Sequence, residues 1–343
     1  MIEPVNIIIP AWNQVAYTRQ CLQTLADHTP PDTYRLILVD NGSTDGTAEL
    51  FDAMPGAEVI HFPENRGFAA AVNAGIHRAR PGHVLLLNND TLLPPGWLER
   101  LRIALEETPD AGMAGPVSNN VSGSQQIDTP PLASFEEMVA FAESRARAFA
   151  GRRRETARLV GFCLLIRDQV IRDVGLFDER YGIGNFEDDD YSLRVLRAGW
   201  RLIIAEDAFV FHYGGRTFAA MDPDAETYRQ LLARNEALFM AKFRPQPQER
   251  LEEALRARRL AESAARLLAE GHLKQAIETG LEALRLWRAD PLALEVLAGA
   301  TEQLGDARRA ALLRQQAEAA RQALEASPTG FPDTEAEDHD GTG

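Results

Sequence analysis

Leu36-Ile37-Leu38-Val39-Asp40-Asn41-Gly42-Ser43-Thr44-Asp45-Gly46-Thr47 starts as an unbroken apolar run and ends as a polar turn containing two glycines. A short apolar run that stops at turn residues predicts a strand buried on both faces, and residues 48–54 that follow carry a helical pattern. Asp40 closes the strand, where a carboxylate can accept hydrogen bonds from a base or from ribose hydroxyls. Asp45 and Thr47 stand where the cap of the next helix belongs.

The same alternation extends in both directions. A strand is expected over residues 5–10, a helix near 16–26, a strand over 59–62, a helix over 69–79 and a strand at Val84-Leu85-Leu86-Leu87, which runs into Asn88-Asn89-Asp90. Strands separated by helices in this way imply right-handed parallel units of an α/β sheet. Such sheets collect ligands at the carboxyl ends of their strands. Asp40 and Asp90 both lie at such ends. Residues 118–131 turn polar and read as a loop long enough to be functional. Arg152-Arg153-Arg154 reads as a solvated helix end ahead of a strand over residues 159–166.

The 343 residues suffice for two domains, and a hydrophobic fraction of 45% provides a core. A formal charge of −15 argues against nucleic acid or an anionic membrane as a broad electrostatic partner. Two cysteines, Cys21 and Cys163, suggest neither a disulfide framework nor structural zinc, which fits a reducing cytoplasm. No basic leader precedes the first strand, and no apolar stretch nears the roughly 20 residues of a membrane span. The expected location is cytoplasmic, any contact with the inner face of the membrane being peripheral.

Beyond Pro245 and Pro247 the composition shifts to Ala, Leu, Glu and Arg. Gly271 and Gly305 stand 34 residues apart, and Ala276 and Ala310 repeat that offset. The period resembles the tetratricopeptide repeat in about two copies, a number that would need support from the rest of the chain, a second copy of it or a partner protein. The expected division is residues 1–243 as the α/β domain, 244–326 as the helical-repeat region and 327–343 as an acidic, disordered tail.

Val5-Asn6-Ile7-Ile8-Ile9-Pro10-Ala11-Trp12-Asn13, followed by Val39 to Thr47, resembles the opening of family 2 glycosyltransferases. The resemblance runs over about residues 5–218 and implies a GT-A, Rossmann-like α/β sandwich that binds a nucleoside-diphosphate sugar. By that resemblance Pro10 and Asp40 line the nucleoside pocket, with Asn41 beside them. The Asn65-Arg66-Gly67-Phe68 turn and Asn73 flank the nucleotide. Arg66 next to Gly67 offers a fork of donors where backbone can approach a diphosphate. Where relatives usually show Asp-any-Asp, this chain has Asn88-Asn89-Asp90, leaving Asp90 as the motif's one carboxylate. Asn88 and Asn89 are then assigned to ribose or sugar hydroxyls, and Asp90 to a divalent cation, manganese or magnesium, on the diphosphate.

Glu187-Asp188-Asp189-Asp190 opens a helix, and four adjacent carboxyls exceed what capping needs. Their mutual repulsion favours a raised pKa, which suits a general base. The resemblance implies Asp188 as the base that deprotonates the acceptor and Glu187 as the residue seating the acceptor, while Asp190 is expected to cap the helix. It also implies that His212, 24 residues after Asp188, completes the metal shell. The implied reaction is an inverting transfer to a glycan, lipid-linked or protein hydroxyl. Two other readings stand beside it. A sugar-phosphate nucleotidyltransferase would need a glycine- and basic-rich loop after the first strand, where Pro10-Ala11-Trp12-Asn13-Gln14 stands. A weakly catalytic scaffold acting through its repeats draws on Asn88 and Asn89.

Overall fold

The computed structural model describes residues 3–214, 226–243 and 248–326. The tail over 327–343 and the prolines at 245 and 247 lie outside the described residues. Contacts divide the chain into Met1–Phe239 and Met240–Gly343.

In the first unit, β1 (Val5–Ala11), β2 (Tyr34–Asp40), β3 (Glu58–His61) and β4 (Val84–Leu87) pair in parallel in the order β3-β2-β1-β4. Between them run α1 (Val15–His28), α2 (Thr47–Asp52) and α3 (Phe68–Arg78). Every residue of β1 and β4 is buried, as expected of strands covered on both faces. Ile7 and Ile9 join the core formed with Cys21, Leu22 and Leu25 of α1, whereas Ile8, pointing the other way, meets Gly75 of α3. Gly75 is small because a Cβ there would stand 2.5 Å from Ile8 Cγ2.

After β4 come β5 (Thr91–Leu92), α4 (Trp97–Glu106), β6 (Ala111–Val117), α5 (Phe135–Ala148), β7 (Arg153–Thr156), β8 (Cys163–Ile166), α6 (Asp168–Val174), α7 (Glu187–Arg197), β9 (Arg201–Phe209), β10 (Phe211–His212) and α8 (Glu226–Phe243). The eight-stranded sheet is mixed. β8 enters antiparallel between β4 and β6, and β7 closes the edge antiparallel to β9. Arg152-Arg153-Arg154 therefore leads into an edge strand, which corrects the helix-end expectation. Arg153 pairs with Asp207 at 2.7 Å, and Arg154 with Glu206 at 3.2 Å.

Gly67 sets the spacing between the halves of the sheet's ligand end. Its φ is +88°, and a Cβ there would come within 1.9 Å of the Gly182 carbonyl oxygen, which belongs to the turn ahead of α7. We expect Gly67→Ala to cost about 2–4 kcal/mol, through left-handed strain and a backbone clash together, as measured by chemical denaturation.

In the second unit, α9 (Gln248–Ala269), α10 (Leu273–Leu286), α11 (Pro291–Gln303) and α12 (Ala307–Ala326) pack in sequence. Gly271 and Gly305 lie in the turns after α9 and α11, at φ of +82° and +88°, where glycine avoids the Cβ penalty. The buried small residues at the repeat offset are Ala276 and Ala310. Asp290 caps α11 by accepting from the Ala293 N–H at 2.7 Å.

Candidate active site

A cavity of about 610 Å³ opens at the carboxyl ends of β1, β2 and β4. Of the residues expected from sequence, Pro10, Asn41, Asn65, Asn88, Asn89, Asp90, Glu187, Asp188 and His212 line it. Asp40, Arg66 and Asn73 do not. Asp40 is buried, with Oδ1 accepting from the Ser43 N–H at 2.9 Å and Oδ2 lying 3.1 Å from His61 Nδ1. The hydrogen bond to Asp40 is the main reason the His61 imidazole holds its proton more firmly than usual. Arg66 is exposed, with its guanidinium over the Phe62 ring. Asn73 is buried, and its amide joins α3 to the turn before α7 through Phe177 and Glu179.

Two turns at the mouth are stitched together by side chains. Asn13 donates its N–H to Ser43 and accepts from the Thr44 N–H. Asp45 accepts from the N–H groups of both Thr47 and Val15, so it serves the starts of α2 and α1 at once. Asn41 and Asn65 shape the next turn. The Asn41 amide donates to Asn65 Oδ1 and the Gly67 carbonyl and accepts from the Arg66 N–H.

His212 does not end the long strand β9. It sits on β10, a two-residue strand paired antiparallel with β5 in the register His212↔Thr91, which carries the imidazole to Asp90. His212 Nε2 lies 3.1 Å from Asp90 Oδ1, and both residues are buried. Nδ1 stands 2.8 Å from the Asn120 carbonyl, an acceptor only, so the proton belongs on Nδ1 and the Nε2 lone pair faces the carboxylate. Two acceptors held 3.1 Å apart require a proton or a cation between them. That donor set, one carboxylate oxygen and one oriented imidazole nitrogen, fits a divalent cation. The Asn88 amide reaches to 3.5 Å from Nε2. Among the described residues no group of three or more His, Cys, Asp or Glu side chains is placed to hold a metal, so the remaining ligands would be diphosphate oxygens and water.

The acidic cluster divides by role. Asp188 is buried on the cavity wall, with Oδ2 accepting from the Gly161 N–H at 3.0 Å and Oδ1 from the Asp189 N–H at 2.9 Å. Burial, followed by the Asp188 charge, holds the Glu187 carboxyl well above the usual range and pushes Asp189 up to about 7. Arg158, between β7 and β8, pairs with Asp189 at 2.6 Å and donates to Ser122 at 3.0 Å. Asp190 is not the cap expected of it. It is fully buried and binds Arg194 and Tyr181, and Phe186 occupies the N-cap position.

Sequence reasoning missed Trp12, Asn120, Ser122, Arg158, Asn185 and Tyr228, all of which line the cavity. The long polar segment after β6 signalled Asn120 and Ser122 only as part of a functional loop.

A parallel half-sheet with its ligand cavity at the strand ends, completed by antiparallel insertions and a carboxylate–imidazole pair, defines a GT-A nucleotide-sugar fold. Residues 6–175, just under half of the chain, match the family model described as "Glycosyl transferase family 2". The glycosyltransferase AglE of Haloferax volcanii is 27% identical over 217 residues, 61% of this chain and 66% of its own length. A pre-mycofactocin glycosyltransferase of Mycobacterium tuberculosis is 30% identical over 61% of this chain and 42% of its own length. The N-acetylglucosaminyl-diphospho-decaprenol L-rhamnosyltransferase of the same species is 28% identical over 52% and 66%. The chain thus spans between about two-fifths and two-thirds of the length of these relatives. Among solved structures, a mannosyltransferase of Pyrobaculum calidifontis in complex with GDP-Man and Mn²⁺ aligns at a TM-score of 0.48 and 20% identity, over 93% of this chain and 81% of that one.

Proposed function

We propose that this chain transfers a sugar from a nucleoside-diphosphate donor to an acceptor hydroxyl by a single inverting displacement. The observation that carries this reading is the Asp188 carboxylate, fixed by two backbone N–H groups on the wall of the cavity that also holds the Asp90–His212 pair. Asp188 takes the acceptor proton as the acceptor oxygen bonds to the anomeric carbon and the bond to the diphosphate breaks. Glu187 seats the acceptor. Pro10, Asn41, Asn65, Asn88 and Asn89 form the donor side, with Asp40, Arg66 and Asn73 supporting the turns around it. A divalent cation on Asp90 and His212 would neutralise charge developing on the departing diphosphate. The acceptor class we favour is a glycan or lipid-linked glycan, in keeping with the rhamnosyltransferase relative's name.

In this reading residues 1–243 perform the transfer and the helices of 244–326 form tetratricopeptide-like repeats that meet a second copy or a partner. No described helix is long and apolar enough to cross a membrane.

A panel of nucleotide sugars, each scored by thermal shift with and without manganese, tests the donor site. At about 100 times Kd a bound donor should stabilise by about 2.7 kcal/mol. Asp90→Asn and His212→Ala should each abolish the manganese-dependent part of that shift. Manganese-dependent stabilisation surviving in both variants would move the cation elsewhere.

A further inference from the structure

Residues 158–161, in the connection between β7 and β8, grip the first turns of α7. Arg158 Nε lies 2.6 Å from Asp189 Oδ1, the Leu159 N–H donates to Ser192 Oγ at 3.2 Å, and the Gly161 N–H donates to Asp188 Oδ2 at 3.0 Å. The connection is itself fixed from behind. The Thr156 hydroxyl donates to the Arg158 carbonyl and accepts from the Arg158 N–H, and the Val160 N–H donates to Gln125 Oε1 at 2.7 Å. The guanidinium also donates to Ser122 Oγ at 3.0 Å, so the fold sets its place and leaves the side chain 24% exposed.

The turn it grips carries more negative charge than a helix start needs. Glu187, Asp188 and Asp189 are consecutive, and all three line the cavity together with Arg158. Asp190, next along α7, is engaged by Arg194 and Tyr181. The Tyr228 hydroxyl of α8 donates to Asn185, and Asp90 and His212 lie against each other. Among the described residues that line the cavity, Arg158 is the one arginine and there is no lysine.

Burial works against the Arg158 proton, but the charges of Asp188, Asp189 and Glu187 outweigh it, and the guanidinium holds its proton more firmly than usual. The attraction acts in both directions. A base has to be ionised to take a proton, and a second carboxylate one residue away opposes that unless a cation offsets it. An arginine bonded to Asp188 itself would compete with an acceptor hydroxyl for the same lone pairs. Bonded to Asp189, it lends its charge to the turn, while the Asp188 oxygens accept from backbone N–H groups. We propose that the Arg158–Asp189 pair is a positioning element of the transfer reaction: Arg158 offsets the charge of Asp189, so that Asp188 beside it stays ionised and can take the acceptor proton. This proposal rests on the transfer reading above.

The pH profile of kcat/KM tests it. Nucleotide release from the donor found by the thermal-shift panel is followed at saturating manganese, with water and with a methyl pyranoside as acceptors. Activity that needs an ionised base rises with pH along its acid limb. Removing the cation in Arg158→Gln should move that limb to higher pH by about one unit, and removing the anion in Asp189→Asn should move it to lower pH. The two substitutions together should return it towards the wild-type position. Arg158→Lys keeps the charge but not the planar fork, so its limb should stay with the wild type even where kcat falls. Asp189 is 20% exposed, and its variant gives the readout even if Arg158→Gln does not fold. Limbs that stay in place in the Gln and Asn variants overturn the pair. A Lys variant whose limb follows that of Arg158→Gln overturns it too, as does a loss in Arg158→Gln that is equal at every pH. Those results leave the transfer reading standing if Asp188→Asn stops nucleotide release. Release that survives Asp188→Asn, or no release with either acceptor, sinks the transfer reading and the pair with it.

Discussion

Asp188→Asn is expected to lower the rate of sugar transfer by about 10²- to 10⁴-fold, the range a positioned general base contributes, and to leave the melting temperature close to that of the wild type. The position is suited to the substitution because the carboxylate's known partners are backbone donors. Gly161 N–H reaches Oδ2 and Asp189 N–H reaches Oδ1. An asparagine can keep one of these bonds through its carbonyl oxygen while losing the capacity to take a proton. The lost bond costs about 1 kcal/mol, small beside the kinetic effect. Binding of the nucleotide to the opposite set of residues should survive, so thermal shift with donor and turnover with acceptor would part company. Transfer at more than half the wild-type rate would remove Asp188 from the role of base.

The strand ends were the most legible part of this chain, since an apolar run that stops at a carboxylate marks both a buried strand and its ligand end. Asp90 reaches the cavity from such a local signal, and Asp188 from the run of four carboxyls that opens α7. Asp40 shows the limit of the same signal. It closes β2 as expected, but its carboxylate is engaged by Ser43 and His61 rather than facing the cavity. Chemistry that depends on pairing across long sequence separations was harder to read. The meeting of His212 with Asp90 depends on a two-residue ladder between β10 and β5, which has no periodicity to detect. Arg158 and Asn185 come from connections whose conformation is set by tertiary contacts, so nothing in their immediate neighbours marked them. The antiparallel entry of β8 was equally hidden, because its fully buried Cys163–Ile166 run reads the same in either direction.

Two residues along the helix from the proposed base, Asp190→Ala should do the opposite. We expect it to destabilise the first unit by about 3–5 kcal/mol, the cost of breaking a buried ion pair by removing one partner. The Asp190 side chain is fully buried, with Arg194 Nε at 2.6 Å from Oδ1 and the Tyr181 hydroxyl donating to Oδ2 at 3.1 Å. Arg194 in turn donates to the carbonyls of Val174 and Leu176 at 3.1 and 2.9 Å and lies over the Tyr191 ring, which stacks on Phe177. One carboxylate thus neutralises the guanidinium that closes the end of α6 and the following turn against α7. Without it a charge stays largely enclosed by carbonyls and rings, and α7 loses the tie that sets the height of Asp188 above the cavity. Urea denaturation would show the lost stability directly, and activity should fall in step with the unfolded or displaced fraction, not through a changed chemical step. A variant that melted with the wild type yet failed to turn over would place Asp190 in the reaction and remove the division of labour within Glu187-Asp188-Asp189-Asp190.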